Sequence, residues 1–127
     1  MSNAYLDTHV IVWLYDGLIE QLSEEAKRQI ESNDLLISPM ALLELQYLFD
    51  RKRIRIDPMS MCTYVQLTFS ANLCSFPFPA IAREALGCGW TNDPFDRIIV
   101  ANAKANREAV LITADSEIRK HYSAAKW

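Results

Sequence analysis

Short apolar runs alternate with helical patterns along most of the chain. Residues 3–6, 34–38 and 109–113 have the length and apolar character of buried strands, and a helical pattern follows each of them. Strands that are apolar throughout and alternate with helices are typical of a parallel sheet whose two faces are covered by helices. The sequence therefore predicts an α/β fold with a central parallel sheet.

Three helix starts carry the same local signal, a capping side chain followed by proline. These pairs are Ser38-Pro39, Asp57-Pro58 and Asp93-Pro94. The first side chain can accept a backbone N–H, and proline suits the first helical position because its missing N–H is not needed there. Further helices are predicted at residues 10–15, 23–32, 40–49 and 80–86 and after Asp115, with one more strand over residues 72–78 that ends at Pro77 and Pro79.

Two acidic residues fall on the apolar side of predicted helices. Asp96 aligns with Ile99 and Val100, and Glu44 aligns with Leu48. A carboxylate in such a position raises the free energy of the fold unless donors or a cation meet it. Both acids are therefore candidates for a functional site.

Ordinary structural roles are also open for the candidate acids. Asp96 can close a capping-box-like turn with Asp93, and Glu44 can reach solvent from the edge of its stripe. Asp7 and Asp115 can each cap the helix that follows a strand. However, groups just beyond the carboxyl ends of parallel strands converge in one crevice. The sequence therefore predicts that the four carboxylates of Asp7, Glu44, Asp96 and Asp115 meet there.

A cluster of four acids needs a compensating charge, because each carboxylate raises the pKa of its neighbours. Mg²⁺, with Mn²⁺ as a substitute, prefers oxygen ligands and keeps several waters, and it is commonly found beside phosphate. Such an ion polarises a phosphodiester and generates a nucleophilic hydroxide. The predicted chemistry is therefore metal-dependent hydrolysis of a phosphodiester.

Composition limits the class of protein. The 127 residues are 50% apolar, which suits one domain spanning residues 1–127. The net charge of −3 and pI near 5.3 exclude a global basic field, so a polyanionic partner needs a local patch or a metal bridge. Three cysteines without a C-x-x-C spacing indicate a reducing cytosol, and no apolar run is long enough for a membrane span. A soluble, cytoplasmic protein is expected.

One local basic patch follows the helix at residues 40–49. Four cations fall within five residues, namely Arg51, Lys52, Arg53 and Arg55. They can simply complement a helix C-terminus. They can also contact phosphate, together with Arg97, on an otherwise acidic protein.

The acids and their surroundings resemble the PIN domain, in particular the toxin ribonucleases of VapBC-type toxin–antitoxin pairs. The matching motifs occur in the same order over nearly the whole chain, and they are residues 6–9, Glu44, residues 93–97 and residues 111–115. The resemblance implies a Rossmann-like three-layer α/β/α sandwich and a Mg²⁺-dependent endoribonuclease. It also implies a homodimer held inactive by a small VapB-like antitoxin whose C-terminal segment blocks the acidic pocket.

The resemblance assigns roles residue by residue. Asp7, Glu44 and Asp96 match the three principal acids of the family, and Asp115 matches the fourth. Asp93 is an additional acid of this subgroup's motif, for which capping is an equally open role. Thr8 and Thr113 are candidates for a ligand or a water contact. The hypothesis that follows is RNA hydrolysis by a metal-bound water attacking in line.

Two alternatives from other classes are kept. A phospho-acceptor receiver domain needs paired acids after the first strand, a central acceptor aspartate and a lysine near the last strand. The sequence offers only Asp7 after the first strand, Ser38 at the acceptor position, and no lysine in residues 113–115. The second alternative is a catalytically silent PIN-like module that binds a partner or RNA. His9 is expected to be a surface or packing residue.

Overall fold

Five parallel strands form one central sheet in the computed structural model, which describes residues 2–127. Their order across the sheet is β3-β2-β1-β4-β5. The strands are β1 (Asn3–Leu6), β2 (Asp34–Ile37), β3 (Asn72–Leu73), β4 (Val110–Ile112) and β5 (Ala125–Lys126). The parallel α/β fold predicted from the alternating pattern is therefore confirmed.

Seven α-helices connect and cover the strands. They are α1 (Thr8–Asp16), α2 (Glu24–Ser32), α3 (Pro39–Asp50), α4 (Pro58–Phe69), α5 (Phe78–Ala85), α6 (Pro94–Ala105) and α7 (Ser116–His121). Helices α1, α3 and α4 contact one another, and α6 joins them through α3 and packs along α5. Helix α2 instead contacts β4 and β5. The signal of a capping residue followed by proline marks the starts of α3, α4 and α6 correctly.

The strand order indicates at which point of the sheet a ligand site is expected. The chain builds outward from β1 to β2 and β3, then returns to the other side of β1 with β4 and β5. The order therefore reverses between β1 and β4, and open α/β sheets bind ligands beyond the carboxyl ends of strands at such a point. Receiver domains have the order 2-1-3-4-5 instead, so this topology argues against the receiver alternative.

The two central strands also form the centre of the core. Tyr5 and Leu6 of β1 and Leu111 and Ile112 of β4 are fully buried. The parallel register pairs Leu6 with Ile112 at the end of the two strands. The residues that follow are consequently held against the best-packed part of the molecule.

Two predicted elements are placed differently. The strand expected over residues 72–78 covers only Asn72–Leu73, and the helix expected over residues 80–86 is Phe78–Ala85. The prolines at residues 77 and 79 start this helix rather than end a strand, because an initial helical turn does not need their missing N–H. Strand β5 was not predicted. Among residues 2–127, no helix combines the length and apolar character needed to cross a bilayer.

Candidate metal centre

A pocket of about 410 Å³ lies at the carboxyl edge of the sheet. Its wall contains all five candidate acids, Asp7, Glu44, Asp93, Asp96 and Asp115. They come from the ends of β1 and β4 and from helices α3 and α6, which start at this edge. The structure therefore brings together the acids that the sequence placed in one crevice.

Asp7 is fixed by both central strands. Its backbone N–H extends the sheet by donating to the Ile112 carbonyl (3.0 Å). Its Oδ1 accepts the Thr8 N–H (2.8 Å) and caps α1, while its Oδ2 accepts the Thr113 hydroxyl (2.6 Å). Asp7 is only 3% exposed. The carboxylate of Asp7 therefore caps α1 and lines the pocket at the same time.

Glu44 projects from α3 toward Asp7. The Thr8 hydroxyl donates to Oε1 of Glu44 at 2.6 Å, which ties α3 to the first turn of α1. Burial raises the pKa of Glu44, the hydrogen bond from Thr8 opposes that shift, and the charge of Asp7 adds to it. Glu44 therefore does not simply reach solvent from the edge of its helix.

Asp93 and Asp96 divide two roles between them at the start of α6. Asp93 is the cap, because its Oδ1 accepts the N–H groups of Phe95 (2.9 Å) and Asp96 (3.3 Å). The Asp93 N–H donates to the Thr91 hydroxyl rather than to Asp96. Asp96 therefore does not close the capping-box-like turn that was considered from the sequence, and its carboxyl group faces the pocket.

Asp96 has the most perturbed carboxyl group of the site. Burial is the main cause that raises the pKa of Asp96 to about 7. The negative charges of the other four acids add to this shift, in the order Asp93, Asp7, Asp115 and Glu44. Four negative charges thus act on the half-buried carboxyl group of Asp96. This pattern is expected where several acids share one site.

Asp115 caps α7 and borders the pocket at the same time. Its Oδ1 accepts the N–H groups of Glu117 (2.8 Å) and Ile118 (3.1 Å). Its own N–H donates to the Thr113 hydroxyl oxygen at 3.0 Å. Thr113 therefore links Asp115 to Asp7 by one side chain, and this contact differs from the ligand or water contact considered from the sequence.

Two aromatic residues of α1, His9 and Trp13, also line the pocket, although neither was predicted to do so from the sequence. The Ala114 N–H donates to Nε2 of His9 at 3.0 Å, so the ring proton of His9 lies on Nδ1. That atom is 3.5 Å from Oδ2 of Asp7. Trp13 packs edge-on against His9 with a centroid distance of 4.9 Å. The sequence signal that could have placed His9 in the pocket is its position in the first helical turn after a strand end.

The predicted cations separate into different environments. Among them only Arg53 lines the acidic pocket, and Arg53 and Arg55 both line a neighbouring cavity. The guanidinium of Arg51 lies 4.4 Å from the ring centroid of Tyr47. Lys52 adopts a left-handed backbone conformation with φ 60° at the end of α3.

Arg97 has a structural position outside the pocket. Its Nε donates to the Ala85 carbonyl at 2.8 Å, and its terminal nitrogens donate to the carbonyls of Thr91 and Leu86 at 3.4 Å each. These bonds join the start of α6 to the end of α5 and to the following loop. The structure therefore does not bring Arg97 together with the acids.

The donor set fits a hard divalent cation. Five carboxylates and one arginine line the pocket and leave an excess of negative charge. Burial is the main cause of the raised pKa values of Glu44 and Asp96, and the charges of neighbouring acids add to it. In the part of the chain that is described, no three acidic, histidine or cysteine side chains already stand close enough to enclose an ion. Mg²⁺ does not require such a cage, because it retains several waters and uses few protein ligands.

The fold and the pocket together define a parallel α/β protein with an acidic crevice at its topological switch point. A sequence model of the PIN domain matches residues 4–123. The chain therefore belongs to the PIN domain family. No curated protein matches this sequence.

Solved structures of toxin–antitoxin complexes contain chains with a similar fold. One is a toxin–antitoxin complex from Klebsiella pneumoniae, with TM-score 0.64, 20% identity and coverage of 96% of this chain and 94% of the other. Another is VapBC2 from Rickettsia felis bound to a DNA fragment from its promoter (TM-score 0.60, 19% identity, coverage 97% and 95%). DNA-bound VapBC from Salmonella typhimurium has TM-score 0.59, 19% identity and coverage 98% and 96%. These likenesses establish the fold.

Proposed function

We propose that this protein is a Mg²⁺-dependent endoribonuclease and the toxin of a VapBC-type toxin–antitoxin pair. The observation that carries the proposal is the pocket whose wall brings five carboxyl groups together, where burial and then the charges of the other four acids raise the pKa of Asp96 to about 7. Such a cluster is unfavourable for folding alone and suits a bound dication. Membership of the PIN family and the similar fold of VapBC chains support the same function.

The proposed ligands are three of the five acids in the pocket wall. Asp7, Glu44 and Asp96 hold the ion, and Asp115 and Asp93 hold its waters or orient the nucleophile. When bound, Mg²⁺ or Mn²⁺ lowers the pKa of a water and offsets charge on the phosphodiester. The threonines keep the carboxylates in place, since Thr8 donates to Glu44 and Thr113 donates to Asp7. These outer contacts orient ligands in many metal sites.

Arg53 is the proposed first contact for the RNA backbone. It is the cation that shares the pocket wall with the acids, and Arg55 continues the basic edge into the adjoining cavity. Arg51 and Lys52 extend the positive charge around the end of α3 and contribute to RNA binding at longer range. Arg97 is left out of the proposed contacts because its donors already bind backbone carbonyls.

The proposed partners are an antitoxin and a second copy of the chain. The similar chains from Klebsiella pneumoniae, Rickettsia felis and Salmonella typhimurium come from toxin–antitoxin complexes. Large apolar side chains suitable for such contacts are exposed on α4 and just after α5, including Leu67 (81%) and Leu86 (79%). The sedimentation mass of the isolated chain tests the homodimer. The free thiols of Cys62, Cys74 and Cys88 suit a proposed cytoplasmic location.

The direct test is cleavage of RNA by the chain purified free of other proteins. We expect cleavage with Mg²⁺ or Mn²⁺ and none with a chelator. Asp7→Asn and Asp96→Asn should each lower the rate by at least about 100-fold while the protein stays folded. Asp57→Asn is the matched control, because Asp57 caps α4 away from the pocket.

Two results would contradict the proposal. One is unchanged cleavage in Asp7→Asn or Asp96→Asn, which would mean that the acidic pocket is not the active site. The other is a folded wild-type chain that cleaves no RNA with either metal, which would favour the catalytically silent PIN-like module.

A further inference from the structure

A second cavity of about 450 Å³ adjoins the acidic pocket. The two share three wall residues, Val12 of α1 and Arg53 and Ile54 of the loop after α3. They therefore form one continuous groove that consists of the acidic pocket and the second cavity. Both volumes fall within the range of about 300–1,000 Å³ that is usual for ligand sites.

The second cavity has an apolar floor and a charged rim. Met61, which is 1% exposed, and Ile56 provide apolar surface. The ring of Tyr15 forms part of the wall, and Tyr64 packs edge-on against it at a centroid distance of 5.1 Å and an angle of 79°. The exposed residue Arg55 contributes positive charge. A flat, partly apolar group that is attached to a phosphate matches this combination.

The backbone at the end of α3 directs Arg53 to the boundary between the two parts. The Arg53 N–H donates to the Leu48 carbonyl, and the Lys52 N–H donates to the Phe49 carbonyl, both at 2.9 Å. With Lys52 at φ 60°, these are the two bonds of a Schellman motif. Arg53 is therefore held where it can contact the phosphate that links one nucleotide to the next.

We propose that the second cavity binds the nucleobase of a nucleotide adjacent to the scissile phosphate. Tyr15 stacks on the base, Met61 and Ile56 contact its other surfaces, and Arg53 and Arg55 contact the flanking phosphates. Because a base must leave its stack to enter the cavity, the groove selects a single-stranded segment over a regular duplex. This inference rests on the proposed ribonuclease function.

The side chain of Asp16 gives the cavity a means of discriminating between bases. Asp16 lines the same wall as Tyr15, and a carboxylate accepts hydrogen bonds from the exocyclic amino groups of bases. Adenine, cytosine and guanine carry such a group, whereas uracil has none and its ring N3–H lies between two carbonyl oxygens that a carboxylate repels. The cavity should therefore disfavour uracil, and Asp16→Asn should weaken that preference.

The test compares two substrates with the same protein variants. One substrate is a pool of random-sequence single-stranded RNA 12-mers, and the other is a pair of 1-deoxyribose units joined by one 3′–5′ phosphodiester, which has no aromatic group and no flanking phosphate. Tyr15→Ala and Arg55→Ala should raise KM for the RNA by roughly tenfold, the scale of one lost stacking or charge contact. Hydrolysis of the small diester should not change. Tyr15→Phe should keep RNA binding, and Arg83→Ala is the control for an exposed arginine outside the groove.

The outcomes separate this inference from the proposed function. Wild-type KM for RNA in Tyr15→Ala would overturn the base-binding role, whatever Arg55→Ala shows, while leaving the ribonuclease proposal intact. Equal losses on both substrates would also overturn it, because they would indicate a disturbed acidic pocket. If Tyr15→Ala does not fold, Tyr15→Leu, which keeps apolar volume but removes the ring, decides the result. A wild-type chain that hydrolyses neither substrate would overturn the ribonuclease proposal and this inference together.

Discussion

Helix α6 takes part in two polar clusters that have opposite electrostatic character. At its start, Asp96 faces the acidic pocket with four other carboxylates. Near its end, Asn102 and Asn106 donate to the hydroxyl oxygen of Tyr5 at 3.1 and 2.8 Å. That hydroxyl lies 3.1 Å from Sγ of Cys74. We call this second group the neutral cluster.

The difference between the clusters separates a structural role from a functional one. The groups of the neutral cluster satisfy one another, apart from Oδ1 of Asn102, which has no partner among residues 2–127. Such a network stabilises a core without any ligand. The acidic cluster places like charges together, and its pKa shifts show that the ionised state is unfavourable. The acidic cluster therefore suits the proposed binding of a cation, which the neutral cluster does not need.

Apart from replacing the acids themselves, the largest predicted effect comes from a residue that orients the acidic cluster. Thr113→Val removes the hydroxyl that donates to Asp7 and accepts from the Asp115 N–H. We expect metal affinity and RNA cleavage to fall by about 10- to 100-fold, as for outer contacts of metal ligands. Isothermal titration with Mn²⁺ and a cleavage assay measure the two quantities. Thr63→Val on the exposed side of α4 is the control, and wild-type affinity in Thr113→Val would contradict the orienting role.

The next prediction concerns the neutral cluster. Tyr5→Phe removes the hydroxyl that accepts from Asn102 and Asn106 and leaves Asn102 only the longer contact with Sγ of Cys74 at 3.7 Å, so the free energy of unfolding should fall by about 1–3 kcal/mol. The loss should be the same with and without Mg²⁺, as measured by urea denaturation. Tyr64→Phe, at a residue that is 43% exposed, should show little change. If Tyr5→Phe removed the metal response, the two clusters would not be independent.

The smallest predicted effect has the opposite sign. The folded protein keeps the Asp96 proton up to a pKa of about 7, whereas the unfolded chain releases it near the ordinary aspartate pKa of 3.8. Between these values the folded state binds more protons, so its stability falls as pH rises. Asp96→Asn should therefore stabilise the metal-free protein by about 1–2 kcal/mol at pH 8 and have little effect near pH 4. Urea denaturation at the two pH values measures this difference.

Asp57 is the control for this prediction, because its pKa is shifted in the opposite direction to that of Asp96. Its hydrogen bonds with the backbone and side chain of Ser60 lower the pKa of Asp57. Stability from that group is present at neutral pH and is lost as pH falls. Asp57→Asn should therefore destabilise the protein at pH 8. A loss of stability in both variants at pH 8 would contradict the view that Asp96 is held in an unfavourable charged state.

Local sequence signals predicted most of the fold and the acids of the candidate site. Capping residues followed by proline act within a few residues, so the starts of α3, α4 and α6 follow from the sequence. Glu44 and Asp96 were identified because their positions conflicted with helical amphipathicity, and Asp7 and Asp115 because they follow the carboxyl ends of predicted strands. Strand β5 was missed because Ala125–Lys126 is too short to show a period of two.

Other features depend on geometry that the sequence does not reveal. Four neighbouring cations look equivalent in the sequence, but the left-handed conformation of Lys52 decides that Arg53 faces the pocket. A lysine is not the residue that usually signals this conformation. The sequence did not show that His9 lines the pocket, because its contact with Ala114 joins positions far apart in the chain.

The central claim is that the acidic cluster binds a divalent cation, and thermal unfolding with and without Mg²⁺ or Mn²⁺ tests it most directly. An ion that binds only the folded state raises the melting temperature, by on the order of 10 °C at 100 times its Kd for a domain of this size. We predict this rise for the wild type and for Asp57→Asn, and a much smaller one for Asp96→Asn. Equal rises in all three proteins, or no rise at saturating ion, would contradict the claim.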